Sequence, residues 1–169
     1  MAAGGENIQE GFTGAASESE IAVVKLKEAK DYLRKFYGIR QKAVCYQETD
    51  IVQGLRYLHL LALKKQKPLV MCVALGTNLG GHNGMSSLSR ILGSYSRLVD
   101  RCVVIGGGNE ANERHHFQGK LNQVGEVQEV EMRVESGNTG FVAELWGTIP
   151  NIVTAYLISP SGERSPVIS

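Results

Sequence analysis

The sequence predicts an α/β fold with a parallel sheet, followed by a region of antiparallel β-structure. Two continuous apolar runs, LVMCVAL at 69–75 and CVVIG at 102–106, are typical of parallel strands covered on both faces. A third run, IAVVKL at 21–26, predicts another strand. Helical patterns separate these runs, and alternation of strands with helices favours parallel pairing.

Two amphipathic helices are predicted between the strands. Thr49 and Asp50 make a good helix start, and Pro68 ends the pattern. Between them an apolar stripe recurs at helical spacing, formed by Ile51, Leu55, Leu58 and Ala62. A second stripe contains Leu88, Ile91, Leu92, Tyr95, Leu98 and Val99. Residues 27–39 predict a further helix or a long excursion.

The character of the chain changes near residue 120. Residues 1–120 hold 16 Lys/Arg and 11 Asp/Glu, whereas residues 121–169 hold 2 and 6. Val130, Met132 and Val134 alternate with charged residues, as in a half-buried strand, and FVAELWG and IVTAYLI predict further strands. We therefore expect one domain over 1–118 and the start of a second, β-rich domain over 119–169.

Composition excludes several classes of partner. The net charge of +1 favours neither nucleic acid nor an anionic membrane, and no apolar run approaches the roughly 20 residues of a membrane span. The first residues, MAAGGENIQEG, have neither the basic nor the apolar part of a signal peptide. Localisation and oligomeric state are not indicated by these features.

No metal or cofactor site is predicted. Cys45, Cys72 and Cys102 lack metal-ligand spacing and are expected to be small buried hydrophobes in a reducing compartment. His115 and His116 are adjacent, so they would point to opposite faces of a strand, and no third ligand stands at helical spacing. His59 and His82 are expected to be ordinary structural residues.

Two glycine-rich stretches, 76–84 and 106–109, follow the strands at 69–75 and 102–106. Ligands of parallel sheets bind beyond the carboxyl ends of strands, so both stretches should face one crevice. The second, GGGNE, is compatible with an Asn-capped turn or a weak dinucleotide fingerprint. It is also compatible with an oxyanion hole, in which the Asn109 amide is a fixed donor and the glycines permit close approach.

Three segments resemble the subtilase family of serine proteases. They are GFTGAASESEIAVVKL at 11–26, LVMCVALGTNLGG at 69–81 and RCVVIGGGNEAN at 101–112. AVCYQETDI, GTNLGGHNG and NERHH are similar to the clostridial spore-germination protease branch. The resemblance implies a subtilisin-like three-layer α/β sheet, with a jelly-roll-like β-domain inserted after the Asn-Glu motif.

The resemblance also implies roles for individual residues. Asn109 is similar to the oxyanion-hole asparagine of a serine endopeptidase, and a peptide or protein would be the substrate. Ala74, Leu75 and Gly76 resemble the strand that pairs with the substrate and lines its S1 pocket. Gly106, Gly107 and Gly108 resemble the opposite pocket wall. The branch implies a cytoplasmic or spore-associated protein.

The sequence departs from the family pattern at several points. Gly106 and Gly107 replace two alanines, Ala74 replaces a serine, and the Ser-His-Asp triad is absent. We expect the sequence to be an internal segment, with MAAGG similar to the end of the His-bearing helix, and to be inactive alone. A pseudoprotease that binds or senses peptides is the alternative, followed by an unrelated nucleotide-binding domain.

The missing triad segments predict a further consequence for folding. In the family the Asp-bearing strand lies between the strands that resemble 21–26 and 69–75. Without it these strands would expose edges or pair with each other, and unpaired backbone groups are costly. We expect the isolated chain to be marginally stable and prone to aggregation.

Overall fold

A computed structural model of the chain describes residues 2–40, 42–138 and 140–169. Three helices are formed by Asp31–Phe36 (α1), Glu48–Lys65 (α2) and Ser87–Ser96 (α3), and two strands by Leu69–Val73 (β1) and Arg101–Ile105 (β2). Within the described ranges, no helix is both long and apolar enough to cross a membrane.

Strands β1 and β2 form a parallel sheet, as the apolar runs predict. Leu69 lies opposite Arg101, and the register continues to Val73 opposite Ile105. Helix α2 contacts β1, α3 contacts β2, and the two helices contact each other. The core beneath the helices consists of Leu55, Met71, Val73 and Leu92. This βαβ unit is the part of the predicted α/β fold that the structure contains.

The prediction that both faces of the sheet are covered is wrong. Met71 is 1% exposed and Val73 8%, whereas Val70 is 67% exposed. Cys72 and Cys102 are also exposed, so the prediction of buried thiols is wrong for both. Side chains alternate between the two faces of a strand, and in the described residues the helices cover one face. The other face remains open.

The two main helices follow their predicted patterns. Helix α2 contains the whole apolar stripe and ends where Gln66 adopts the left-handed conformation at φ 53°. Helix α3 begins after Ser86, whose hydroxyl accepts a hydrogen bond from the Ser89 nitrogen at 3.2 Å. It ends at Ser96, so Leu98 and Val99 lie beyond it and are exposed, contrary to the predicted stripe.

Residues 21–26 do not form the predicted strand. They pack instead beside α2, where Val24 and Leu26 lie next to buried Gly54. A strand needs a hydrogen-bonded neighbour, and neither β1 nor β2 pairs with this segment within the described part of the chain. Of the residues predicted to lie in a sheet, Val24 and Leu26 thus pack beside a helix, whereas Ile21 and Val23 are exposed.

The antiparallel β-domain predicted after residue 118 is not formed as strands within the described residues. Two isolated antiparallel bridges, Ala155 with Ile168 and Ile158 with Arg164, are present. Val130, Met132 and Val134 are 43–46% exposed, so they do not form the predicted half-buried face. Such a face requires a second layer to pack against. The domain boundary remains a prediction.

The chain has a large surface for its size. Its accessible area is 14819 Å², whereas a compact protein of 18.4 kDa would expose about 8,200 Å². Large apolar side chains contribute to this surface, among them Val124, Trp146, Ile149 and Ile152. Apolar burial is the main source of folding free energy, and in this chain it is concentrated in the small βαβ core.

Candidate functional site

The ends of the two strands lie side by side. The Gly106 nitrogen donates a hydrogen bond to the Val73 carbonyl oxygen at 3.2 Å, which completes the last register pair, Val73 with Ile105. A Cβ atom placed on Gly106 would lie 4.0 Å from the Ala74 Cα. The predicted segments 74–76 and 106–108 therefore begin side by side at the carboxyl end of the sheet, because parallel strands end together.

One side of this end of the sheet, the first wall, consists of Ala74, Leu75 and Gly76, which follow β1. Leu75 is half-buried and packs against the core, whereas Ala74 and Gly76 are exposed. Leu75 therefore anchors the segment by its side chain. The main chain on either side of it is accessible at the surface.

The other side, the second wall, consists of Gly106, Gly107 and Gly108, which follow β2. No atom outside the neighbouring residues lies within 4 Å of a Cβ placed on Gly107 or Gly108, so open space faces both. Gly108 has φ +84°, a conformation that residues with a Cβ adopt only with strain. The run thus ends in a turn that requires glycine at its last position.

Asn109 follows this turn and is exposed. Within the described ranges, no hydrogen bond is made by its side-chain amide. Its two N–H donors are therefore available to a ligand. Asn109 lies beyond the carboxyl end of β2, and within the described ranges its side chain makes no hydrogen bond with the first wall.

Polar side chains connect the first loop, residues 76–84, with the second loop, residues 106–116, which follows β2. The sequence did not predict these contacts. The Asn78 amide nitrogen donates to the Glu110 carboxylate at 2.7 Å. His115 Nδ1 lies 2.9 Å from the same oxygen, Glu110 Oε2. A carboxylate only accepts hydrogen bonds, so Glu110 joins Asn78 of the first loop to His115 of the second. The hydrogen bonds from Asn78 and then His115 lower the pKa of Glu110 below its ordinary value.

Two other histidines connect the same loops. The rings of His82 and His116 are stacked, with centroids 4.5 Å apart and planes 13° from parallel. His82 Nε2 also lies 3.3 Å from the Asn78 carbonyl oxygen. His82 and Arg114 have positive φ angles of 48° and 56°, and these turns direct the chain toward the contact. The only sequence signal for this arrangement is the presence of histidine in both loops.

A third contact joins the first loop to the segment around Trp146. The Glu144 carboxylate accepts hydrogen bonds from the Trp146 indole at 2.9 Å and from the Gly80 nitrogen at 2.8 Å. These two bonds lower the pKa of Glu144. A Cβ atom on Gly81 would lie 3.2 Å from the indole ring, so the ring rests close to the loop main chain.

The described His, Cys, Asp and Glu side chains include no group of three or more arranged to hold a metal ion. The prediction of a metal-free site therefore remains an expectation. Among the described residues, this carboxyl end of the sheet has exposed residues at Ala74 and Gly76 and the side-chain amide of Asn109 with free donors. Exposed main-chain groups can pair with an extended peptide by hydrogen bonding.

Comparison with solved structures finds a similar protein. The structure of the Clostridium perfringens CspB protease matches with a TM-score of 0.58 and 31% sequence identity. The match covers 72% of this chain and 24% of the protease chain. The chain thus spans about a quarter of the length of that protease, and the likeness relates it to a segment of a protease. No protein-family model matches the sequence, and no curated protein matches it.

Proposed function

We propose that this chain is a segment of a subtilisin-like serine endopeptidase and forms the substrate-binding side of its active site. The observation that carries this proposal is the position of Gly106 beside Val73 and Ala74, where both strands end. The similarity to a protease at 31% identity supports it. The two segments that the family resemblance assigns to the substrate are distant in sequence, and their first residues are adjacent in space.

In the complete enzyme a serine would attack the peptide carbonyl, a histidine would move the proton, and an aspartate would orient the histidine. The Asn109 amide would donate a hydrogen bond to the oxygen that becomes negatively charged in the tetrahedral intermediate. A donor with no competing partner is free to bind this oxygen, and it serves best when the protein holds it in place before the charge develops. Asn109 has such free donors within the described ranges.

The two walls would bind the peptide on either side of the scissile bond. The exposed main chain at Ala74 and Gly76 would pair with an extended substrate. Gly106, Gly107 and Gly108 would form the opposite side of the S1 pocket, where open space faces Gly107 and Gly108. Glycines in place of alanines would make this pocket wider than is usual in the family.

The domain boundaries, cofactor requirement, partners and localisation are part of the same proposal. Residues 1–118 would be part of the peptidase domain, and 119–169 part of an inserted β-rich domain. The enzyme would need no cofactor, would bind peptide rather than nucleic acid or membrane, and would be cytoplasmic or spore-associated with a role in germination. The 169 residues alone would hydrolyse no peptide, because the triad would be contributed by other parts of the enzyme.

The coding sequence around the chain provides the first test. An in-frame His-Gly-Thr motif upstream and Gly-Thr-Ser downstream would support a protease. Expression of that longer product should then give hydrolysis of a chromogenic peptide, blocked by a serine-directed inhibitor. A longer product with altered triad positions would instead indicate a peptide-binding pseudoprotease. Hydrolysis by the purified 169 residues would contradict the proposed division of the active site.

A further inference from the structure

We propose that Asn78, Glu110 and His115 form an interloop clamp that fixes the second glycine-rich loop against the first and thereby positions Asn109. This inference rests on the proposed function, because it concerns the side chain assigned there to the oxyanion hole. Glu110 directly follows Asn109 in the chain. A restraint on the Glu110 carboxylate is therefore a restraint on its neighbour.

Asn78 and His115 converge on one oxygen atom of Glu110. Glu110 Oε2 lies 2.7 Å from the Asn78 amide nitrogen and 2.9 Å from His115 Nδ1. Because the carboxylate can only accept, both nitrogens must donate to it. The distance of 3.2 Å between Asn78 Nδ2 and His115 Nδ1 follows from their convergence on this oxygen. Hydrogen bonds to a charged acceptor are stronger than those between neutral groups.

The two hydrogen-bond partners of Glu110 lie in different loops. His115 and Glu110 belong to the same loop, so their bond sets the direction of the carboxylate. The Glu113 nitrogen donates to the Glu110 carbonyl oxygen at 3.0 Å, which closes a turn between them. Asn78 belongs to the other loop, 32 residues away in sequence. Its bond to Glu110 is thus the one that crosses between the loops.

A second contact, between His82 and His116, joins the same two loops. The stacked rings of His82 and His116 also cross between the loops. His82 Nε2 approaches the Asn78 carbonyl oxygen at 3.3 Å, so a contact within the first loop links the residues that make the two crossing contacts. Two connections at different points restrict rotation of one loop about the other more than a single connection does. The loops are therefore held as a pair.

The clamp acts on a site that other contacts leave loose. Gly107 and Gly108 lack side chains, and no atom within 4 Å would meet a Cβ at either position. Asn109 itself has no side-chain hydrogen bond among the described residues. A donor of an oxyanion hole must nevertheless be fixed before the reaction. Glu110, the next residue, provides this fixation as a positioning residue.

Hydrogen exchange and the side-chain amide resonances of Asn109 test the clamp in the full 169-residue chain. Glu110→Ala and Asn78→Asp should each increase exchange of the hydrogen-bonded amides of Gly80 and Gly106 about two- to fivefold, as expected for loss of an exposed polar interaction. Both variants should shift the Asn109 side-chain resonances. Amides of α2 and α3 should keep their exchange rates, and Glu113→Gln is the matched control that should change nothing.

A reversed pair separates positioning from general destabilisation. In the double variant Asn78→Asp with Glu110→Gln, the donor and the acceptor exchange sides, so exchange rates and Asn109 resonances should return toward those of the original chain. The proposal is overturned if the loops are unaffected by the single variants, or if Glu110→Gln does not rescue Asn78→Asp. A variant that fails to fold would accelerate exchange in α2 and α3 and would not be rescued, which also counts against the clamp.

Peptide binding separates this inference from the proposed function. A blocked tetrapeptide is added to the original chain and to each variant. If the peptide shifts the amides of 74–76 in all of them, and the variants do not alter the resonances of Asn109, the clamp is overturned and the protease assignment stays in place. Rescue by the reversed pair with no peptide response would support the clamp and count against the protease assignment.

Discussion

The main-chain nitrogen of Gly106 donates a hydrogen bond to the carbonyl oxygen of Val73 at 3.2 Å. This bond completes the last pair of the β1–β2 register, Val73 with Ile105. It holds the first residue after β2 beside the end of β1. The proposed substrate walls depend on this bond, because Ala74 and Gly106 would otherwise be free to separate.

Gly108 should tolerate a side chain less well than Gly107. Its φ of +84° is unfavourable for any residue with a Cβ, whereas Gly107 has no such restriction and faces open space. Gly108→Ala should destabilise the turn by about 1–2 kcal/mol, and Gly107→Ala should have little effect. Amide hydrogen exchange over 106–109 would measure this. Equal exchange in both variants would contradict the described turn.

Two helical glycines form another matched pair. No atom lies within 4 Å of a Cβ on Gly93 in α3, so Gly93→Ala should stabilise that helix by about 0.5–1 kcal/mol. A Cβ on Gly54 in α2 would lie 3.0 Å from Val24 Cγ1. Gly54→Ala should therefore displace residues 21–26 and lose the gain. Amide exchange in each helix reports the local change, and a similar gain in both would indicate that residues 21–26 do not pack there.

The lowered pKa values of Glu110 and Glu144 predict separate responses in the two carboxylates. For both groups the ordinary value is 4.5 and the folded pKa is lower. Their contribution to loop stability is thus present above pH 4.5 and is lost as the pH falls through the lowered folded pKa. Carbon-13 titration of the carboxyl groups measures each pKa.

Single substitutions should raise these pKa values one at a time. Asn78→Ala removes a donor from Glu110 and should raise its pKa alone. Trp146→Phe removes the indole donor from Glu144 and should raise that pKa alone. Each variant is the control for the other. A substitution that moved both pKa values would contradict the two separate contacts.

The open face of the sheet predicts thiol reactivity. Cys72 and Cys102 are exposed, whereas Cys45 is partly buried. An alkylating reagent should modify the first two in native buffer about as fast as in denaturant and should modify Cys45 more slowly. Peptide mapping by mass spectrometry would distinguish the three sites. Protection of Cys72 and Cys102 would mean that another layer covers this face in solution.

The exposed area also predicts marginal stability. With 14819 Å² accessible against about 8,200 Å² for a compact protein of this mass, the chain has little buried apolar surface to oppose its conformational entropy. We expect a broad thermal transition and aggregation, measured by circular dichroism with light scattering. A sharp, reversible transition of a monomer would contradict this expectation.

The sequence predicted those elements whose signal is local. The stripe from Ile51 to Ala62 specifies α2, and the apolar runs specify β1 and β2, because these patterns depend on spacing alone. The strand at 21–26 and the β-rich region after 118 did not form as predicted, since strands need partners that the pattern cannot supply.

The candidate site was predictable to a similar extent. The rule that parallel strands end together correctly brought Ala74 beside Gly106, whereas the approach of Leu75 and Gly76 to Gly107 and Gly108 stays a prediction. The contacts of Asn78 with Glu110 and of His82 with His116 were missed. They join loops that no periodicity relates, and they depend on positive φ angles at His82 and Arg114. Burial of Cys72 and Cys102 was mispredicted because an apolar run does not specify how many layers cover it.

Nuclear magnetic resonance titration of the chain with a blocked tetrapeptide tests the central claim most directly. We expect the amides of 74–76 and 106–109 to shift together and saturably, and the side-chain resonances of Asn109 to shift with them. Substitution of Gly108→Ala should weaken the response, whereas Gly93→Ala should preserve it. Shifts confined to other parts of the chain, or a response of 106–109 to a nucleotide and not to the peptide, would contradict the account.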